Sequence, residues 1–184
     1  MNIMTQHTAT PLHYDTKTIW LHWLTAALVL ALWAIGQTID WFPRGTPRTL
    51  VRSLHISSGA LLALILVYRI WWRSTAGARL APASTGAANT LAKLIHLAIY
   101  AAMIATLVLG IANTWIRGDN LFDLVKIPAF DPGNKELRES VEELHGLAAN
   151  LLLILAAFHA TAGLLHHYAW KDQVLRRMLP ARKS

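Results

Sequence analysis

Residues 143–172 read ELHGLAANLLLILAAFHATAGLLHHYAWKD. From Leu144 to Leu165 this stretch holds no Asp, Glu, Lys or Arg. It is long enough to cross the hydrocarbon of a bilayer, which takes roughly 20 helical residues. Two histidines interrupt it. His145 and His159 are fourteen residues apart, about 21 Å along a helix axis at about 1.5 Å per residue. Fourteen steps of about 100° return to within about 40° of the starting face. One helix therefore presents two imidazoles to the same side at two depths.

Three further apolar runs, at 18–38, 53–72 and 90–115, match the one at 141–168 in length. None of the four contains proline. The 184-residue chain is 54% hydrophobic and 15% charged, against about 25% charged in soluble domains. The expected architecture is all-α: one compact membrane domain over 1–184, an up-and-down bundle of four helices. The first run is too long for a signal-peptide core and no small-residue cleavage site follows it, so it is read as a retained helix. The segments 40–52, 73–89 and 117–139 carry the Pro, Gly and polar residues of connecting loops.

Lys and Arg give the orientation. One side carries Lys17, Arg69, Arg73, Arg79, Lys93, Lys171, Arg176, Arg177, Arg182 and Lys183, against Asp15 and Asp172. The other carries Arg44, Arg48, Arg52, Arg117, Lys126, Lys135 and Arg138, against eight acids. The more basic side is expected to be cytoplasmic, with both termini inside. The net charge of +7 then belongs to membrane flanks and lipid headgroups and not to a nucleic-acid surface.

Histidine is costly in hydrocarbon and usually functional there. His22 lies near the inner end of the first run and His55 near the outer end of the second. By depth, His22 pairs with His159 and His55 with His145. Two neutral imidazoles on opposite sides of a flat cofactor describe bis-histidine haem ligation, and imidazole suits iron. Ser57, Ser58, Gly59, Gly146, Ala156, Ala157, Ala160 and Gly163 lie beside these histidines and leave room for a macrocycle, although small residues also serve plain helix packing. The chain has no cysteine, which excludes disulfides, iron–sulfur clusters, thiolate-ligated haem and covalent haem attachment. Zinc is a weaker alternative, because the spans offer no Cys or carboxylate ligands.

His7 and His13 are expected in a solvated tail. His96 is a competing ligand at the inner level, or a hydrogen-bonding neighbour of the inner site. His166, His167 and Trp170 end the fourth run, either as an interfacial belt or as the wall and proton donors of a quinone pocket beside the inner haem.

The fragments IWLHWL around His22, WFPRGTPRTLVRSLHISSG through His55, KLIHLAIY around His96 and ELHGLAANLLLILAAFHATAGLLHHYAWKD together resemble the bacterial cytochrome b561 family, and within it the superoxide-oxidising members. The resemblance covers almost the whole chain. It implies two b haems, with His22 and His159 as axial ligands of the inner one and His55 and His145 of the outer one. It further implies oxidation of superoxide at the periplasmic face of the bacterial inner membrane and reduction of ubiquinone near the cytoplasmic face, with His166, His167, Trp170 and Lys171 touching quinone. Arg44, Arg48 and Arg52, at i, i+4 and i+8 before His55, would steer an anion to the outer haem. Two other functions stay open. A non-catalytic electron carrier for a dehydrogenase, hydrogenase or periplasmic redox protein fits the acidic outer loop, and a transport or structural protein would need no haem.

Overall fold

The computed structural model describes residues 13–180. Four long helices dominate it: α1 (Thr16–Thr38), α2 (Thr46–Thr75), α3 (Gly86–Arg117) and α4 (Lys135–Tyr168). Each is long and apolar enough to cross a membrane. Leu64 and Phe158 leave 70% and 67% of their surface exposed. Apolar exposure on that scale suits lipid contact and would be a liability in water.

The helices outrun the apolar runs that announce them. α2 begins at Thr46, not at residue 53, because Pro47 occupies the first turn, where its missing N–H costs nothing. α4 begins at Lys135, six residues before the apolar run, because the Asn134 side chain accepts from Leu137 N at 2.9 Å and caps an otherwise charged first turn. The connection between α3 and α4 is not all loop. β1 (Asn120–Leu121) pairs antiparallel with β2 (Val125–Lys126), a small exception to the all-helical expectation. Ser53, fully buried on α2, fastens this hairpin by accepting from Phe122 N at 2.8 Å while donating to the Thr49 carbonyl at 2.7 Å. Gly118 ends α3 at φ +68, and a Cβ there would lie 2.7 Å from the Ala129 Cβ, so both backbone and space require glycine.

Packing divides the bundle into two hairpins. α3 lies along α4 and α1 along α2, whereas α2 touches α3 and α1 touches α4 only lightly. The core is small and sits at mid-depth, built on Val29, Leu32, Leu62, Leu66, Ala102, Met103 and Leu152. Above and below it the two hairpins are free to hold something between them.

Both described ends lie on one face, here called the terminal face; the α1–α2 and α3–α4 connections form the opposite, loop face. At the terminal face the chain after α4 folds back. Tyr14 N donates to the Arg177 carbonyl at 3.1 Å and Trp23 Nε1 to the Met178 carbonyl at 2.8 Å. His13, expected in a solvated tail, instead donates from Nδ1 to the Arg176 carbonyl at 2.9 Å. His7, Arg182 and Lys183 lie outside the described residues.

Asp15 organises this face. Its carboxylate caps α1 by accepting from Thr18 N at 2.9 Å and from Thr18 Oγ1 at 2.6 Å. It also accepts from Trp72 Nε1 at 3.1 Å and Ala78 N at 2.9 Å, which ties α1 to the end of α2. Desolvation pushes this carboxyl upward, but the hydrogen bonds from Thr18, Ala78 and Trp72 outweigh it and hold the group well below the ordinary carboxylate range. A depressed folded pKa stabilises the fold above the unfolded value and loses that contribution as pH falls through the folded one. Asp15→Ala is therefore expected to cost about 1 kcal/mol or more, read as a lower melting temperature in detergent at pH 7. The gap to wild type should narrow as the pH drops below about 4; a gap that stays constant into acid would show that the carboxylate is not the stabilising species.

Candidate functional site

The four helices align at intervals of seven residues. Gly36 on α1, His55 on α2, Gly110 on α3 and His145 on α4 form a layer near the loop face. Seven residues deeper come Val29, Leu62, Met103 and Leu152, all in the buried core. A further seven give His22, Arg69, His96 and His159. A step of seven is close to two helical turns, so each layer uses the inward stripe of every helix.

The loop-side layer brings His55 and His145 together across the two hairpins, with ring centres 6.2 Å apart and planes at 87°. The terminal-side layer does the same for His22 and His159, at 6.1 Å and 73°. A metal midway between two imidazoles, each nitrogen about 2 Å from it and about 1 Å from its own ring centre, separates the centres by about 6 Å. Both pairs meet that spacing.

The surroundings fit a flat, iron-bearing group. A cavity of about 680 Å³, reached by Trp33, Gly36, His55, Gly110 and His145, opens around the loop-side pair, within the usual range of cofactor pockets, about 300–1,000 Å³. His145 Nδ1 lies 3.0 Å from the Thr106 carbonyl. Donation there leaves Nε2 with its lone pair free for a metal, the usual outer-shell arrangement. His55 Nδ1 is buried without a partner. Two glycines let these rings sit back against the helices: a Cβ on Gly36 would lie 3.2 Å from His55 Cε1, and one on Gly110 would lie 3.0 Å from His145 Cε1.

The terminal-side pair is more crowded. His22 Nδ1 accepts from Arg69 Nη2 at 3.0 Å. The ring of His96 stands 5.1 Å from that of His159, closer than two nitrogens on opposite sides of one metal allow, so spacing favours His22 as the partner of His159. Arg69, counted from the sequence among the flanking cations, points into the bundle.

The sequence-selected arginines do not act alike. Arg44 lies before α2 and is exposed. Arg48 is pinned to Asp40 at 3.0 Å and to the Phe42 carbonyl at 2.8 Å. Arg52 reaches the cavity but stands 3.6 Å from Asp119. Arg117, missed at the sequence level, also lines the cavity; it is 3.9 Å from Asp119 and 2.8 Å from Glu142. Burial raises the Asp119 carboxyl above its usual range, and the Arg117 and Arg52 guanidiniums offset this only in part.

At the terminal face His166 Nδ1 contacts Asp172 Oδ2, and the His166 ring meets Trp170 with centres 4.5 Å apart. Desolvation raises the Asp172 carboxyl, but hydrogen bonds from His166 and Val174 N hold it below its usual range. His167 packs on Tyr168 with its Nδ1 buried and unpartnered. Lys171 is exposed in a left-handed turn, φ 54. His166 and Trp170 thus share one cluster, joined by Asp172, which the sequence reading had treated only as a flanking charge.

The match to the family description of prokaryotic cytochrome b561 runs over residues 13–181. The chain belongs to the prokaryotic cytochrome b561 family. Similar proteins include cytochrome b561 homolog 1 of Escherichia coli (strain K12), 30% identical over 92% of this chain and 98% of that protein. Probable superoxide oxidase CybB of Yersinia pestis is 30% identical over 93% of this chain and 98% of its own length. Cytochrome b562 of Cereibacter sphaeroides is 25% identical over 92% and 96%. The protein is therefore a multi-pass b-type cytochrome of the bacterial inner membrane, which binds haem b and transfers electrons.

Gly110→Ala tests the cradle. The added methyl pushes on a ring already held by Thr106, so a group bound at the loop-side pair is expected to be lost and one bound at the terminal-side pair to be kept. The haem-to-protein ratio should fall by about half if one of two sites empties. A wild-type ratio and spectrum would mean that the ring is not confined there.

Proposed function

We propose that this cytochrome oxidises superoxide at the periplasmic face and reduces ubiquinone near the cytoplasmic face, through two b haems held by His55 with His145 and by His22 with His159. The loop face is then periplasmic and both termini are cytoplasmic. The observation that carries the proposal is the pair of matched imidazole gaps at two depths, joined by α4. Haem b supplies reversible one-electron chemistry when bound. Two superoxide ions give up one electron each and leave as dioxygen; the quinone takes both electrons and two protons.

Residues of the chain do the rest. Two histidines holding one iron between them would leave it no place to bind an oxygen species, so the donor would need only to approach the edge of the cavity. Arg52 and Arg117 stand in the cavity wall there. Arg117 Nε is buried, makes no hydrogen bond and stands 3.9 Å from Asp119 Oδ1; a small anion that displaced this loose contact would gain a directed donor. Arg44 adds an exposed cation, and Arg48 contributes less because Asp40 offsets it. At the opposite face the cluster of His166, Trp170 and Asp172, with His167 and Lys171 beside it, offers an aromatic wall and titrating groups for a quinone head. The similarity to a probable superoxide oxidase supports the same assignment.

A second reading has its own observation. The first turns of α4 hold Glu136, Glu139, Glu142 and Glu143 along one shallow groove at the loop face, a surface suited to a basic redox protein. Mixing purified protein with superoxide in a stopped-flow instrument separates the two. Haem reduction well above the rate of an unrelated haem protein supports the enzyme; a rate no greater than that leaves the carrier.

Two variants sharpen the assignment. His159→Ala is expected to lose one haem and spare the other, seen in the reduced spectrum; loss of both or of neither breaks the pairing. Arg117→Gln should slow reduction by superoxide by roughly threefold to tenfold at low salt and flatten its ionic-strength dependence. An unchanged rate would remove Arg117 from the path of the anion.

A further inference from the structure

We propose that Arg69 is the receptor for a carboxylate of the porphyrin held at the terminal-side histidine pair. The inference rests on haem b binding at that pair and not on superoxide as the electron donor.

Arg69 is the one residue of its layer that carries a fixed charge. It is half-buried on the inward stripe of α2, seven residues below Leu62. Among the described residues no carboxylate lies within 4 Å of it. Its neighbours are the Tyr100 ring, 5.5 Å from the guanidinium carbon, and the His22 imidazole. The cations at the loop-side cavity behave differently: Arg52 and Arg117 share Asp119, and Arg117 also holds Glu142. A guanidinium at membrane depth without an anion is costly. The arrangement leaves one negative charge to be supplied from outside the chain.

The contact with His22 points the same way. A guanidinium only donates, so His22 Nδ1 must accept, and its proton then sits on Nε2. Ligation reverses this. If Nε2 binds a metal, Nδ1 carries the proton and has no lone pair for Arg69; if Nδ1 binds the metal, Arg69 is displaced directly. Either nitrogen ends the present contact and frees a planar, bidentate donor beside the gap. Haem b carries two carboxylates at one edge, and the guanidinium fork matches a carboxylate better than any other side chain does.

The test uses the haem-loaded protein reduced with dithionite, so it is independent of superoxide and quinone. Arg69→Leu and Arg69→Lys are compared with wild type in haem-to-protein ratio, potentiometric titration and the propionate-bending band of the resonance Raman spectrum. The haem that survives in His159→Ala marks the loop-side site. Arg69→Leu is expected either to lose the terminal-side haem or to shift its midpoint potential negative with an altered propionate band, while the loop-side haem keeps its potential. Arg69→Lys should retain both haems and most of the potential, with a shifted propionate band, because a point charge replaces a fork. Should Arg69→Leu not be recovered folded, the Lys variant decides: an unchanged band overturns the proposal. Unchanged potentials and bands in Arg69→Leu overturn it as well. So does a wild-type band that moves when phospholipid is stripped, because the anion on Arg69 is then a headgroup phosphate.

Discussion

The structure depends on a gap of about 6 Å between imidazole rings, kept open twice within one bundle. Ordinary helix packing would close it, since small residues at an interface invite backbones to approach. The protein resists by separating two jobs. Contact within each hairpin holds α1 to α2 and α3 to α4, and a single plug of Val29, Leu62, Met103 and Leu152 sets the distance between the hairpins at mid-depth. Above and below the plug the hairpins stay apart and leave room at both histidine pairs. In water so small a core would not suffice; in lipid the outward Leu64 and Phe158 need no protein partner.

The two layers are built differently, and the difference is electrical. Near the loop face the positions between the histidines are Gly36 and Gly110, which give space and carry no charge. Near the terminal face the two members of the layer besides His22 and His159 are Arg69 and His96. A fixed cation stabilises added negative charge nearby, more strongly where water is scarce. In the proposed two-haem arrangement Arg69 would favour an electron at the terminal-side layer, whereas Arg52 and Arg117 at the loop side are already offset by Asp119 and Glu142. That bias runs from the proposed donor face toward the cluster of His166, Trp170 and Asp172.

The parts of this arrangement that were legible in the sequence are those set by one helix at a time. Nearly uncharged runs announced four spans, and the fourteen-residue step from His145 to His159 announced two depths. Helix ends were less legible, because Pro47 and Asn134 start helices through local capping chemistry in segments whose composition reads as loop. Arg69 was misread for a related reason: six residues before the end of α2, it is close enough to Arg73 in sequence to pass for a flank, and only the register with His22 turns it inward. A signal did exist, since stepping by seven from each histidine lands on Gly36, Arg69, Gly110 and their core partners. It becomes visible only once all four helices are aligned. The pairing of Asp119 with Arg52 and Arg117 had no such signal, because it depends on a hairpin fastened by Ser53.

That hairpin also changes how the loop face treats anions. Simple charge counting puts three arginines ahead of His55 and expects a positive funnel. Instead Asp40 offsets Arg48, and Asp119 with Glu142 offsets Arg52 and Arg117, so the positive field at the cavity is weaker than the count suggests. Selection then falls to direction. A small anion has to displace only the loose contact of Arg117 Nε with Asp119, 3.9 Å long, to gain a hydrogen bond. A larger anion must separate Arg117 from Glu142 or Arg52 from Asp119 and leave a carboxylate poorly solvated. On the proposed function, a cavity guarded by internally balanced charges would admit a bulky anion less readily than a bare cationic patch.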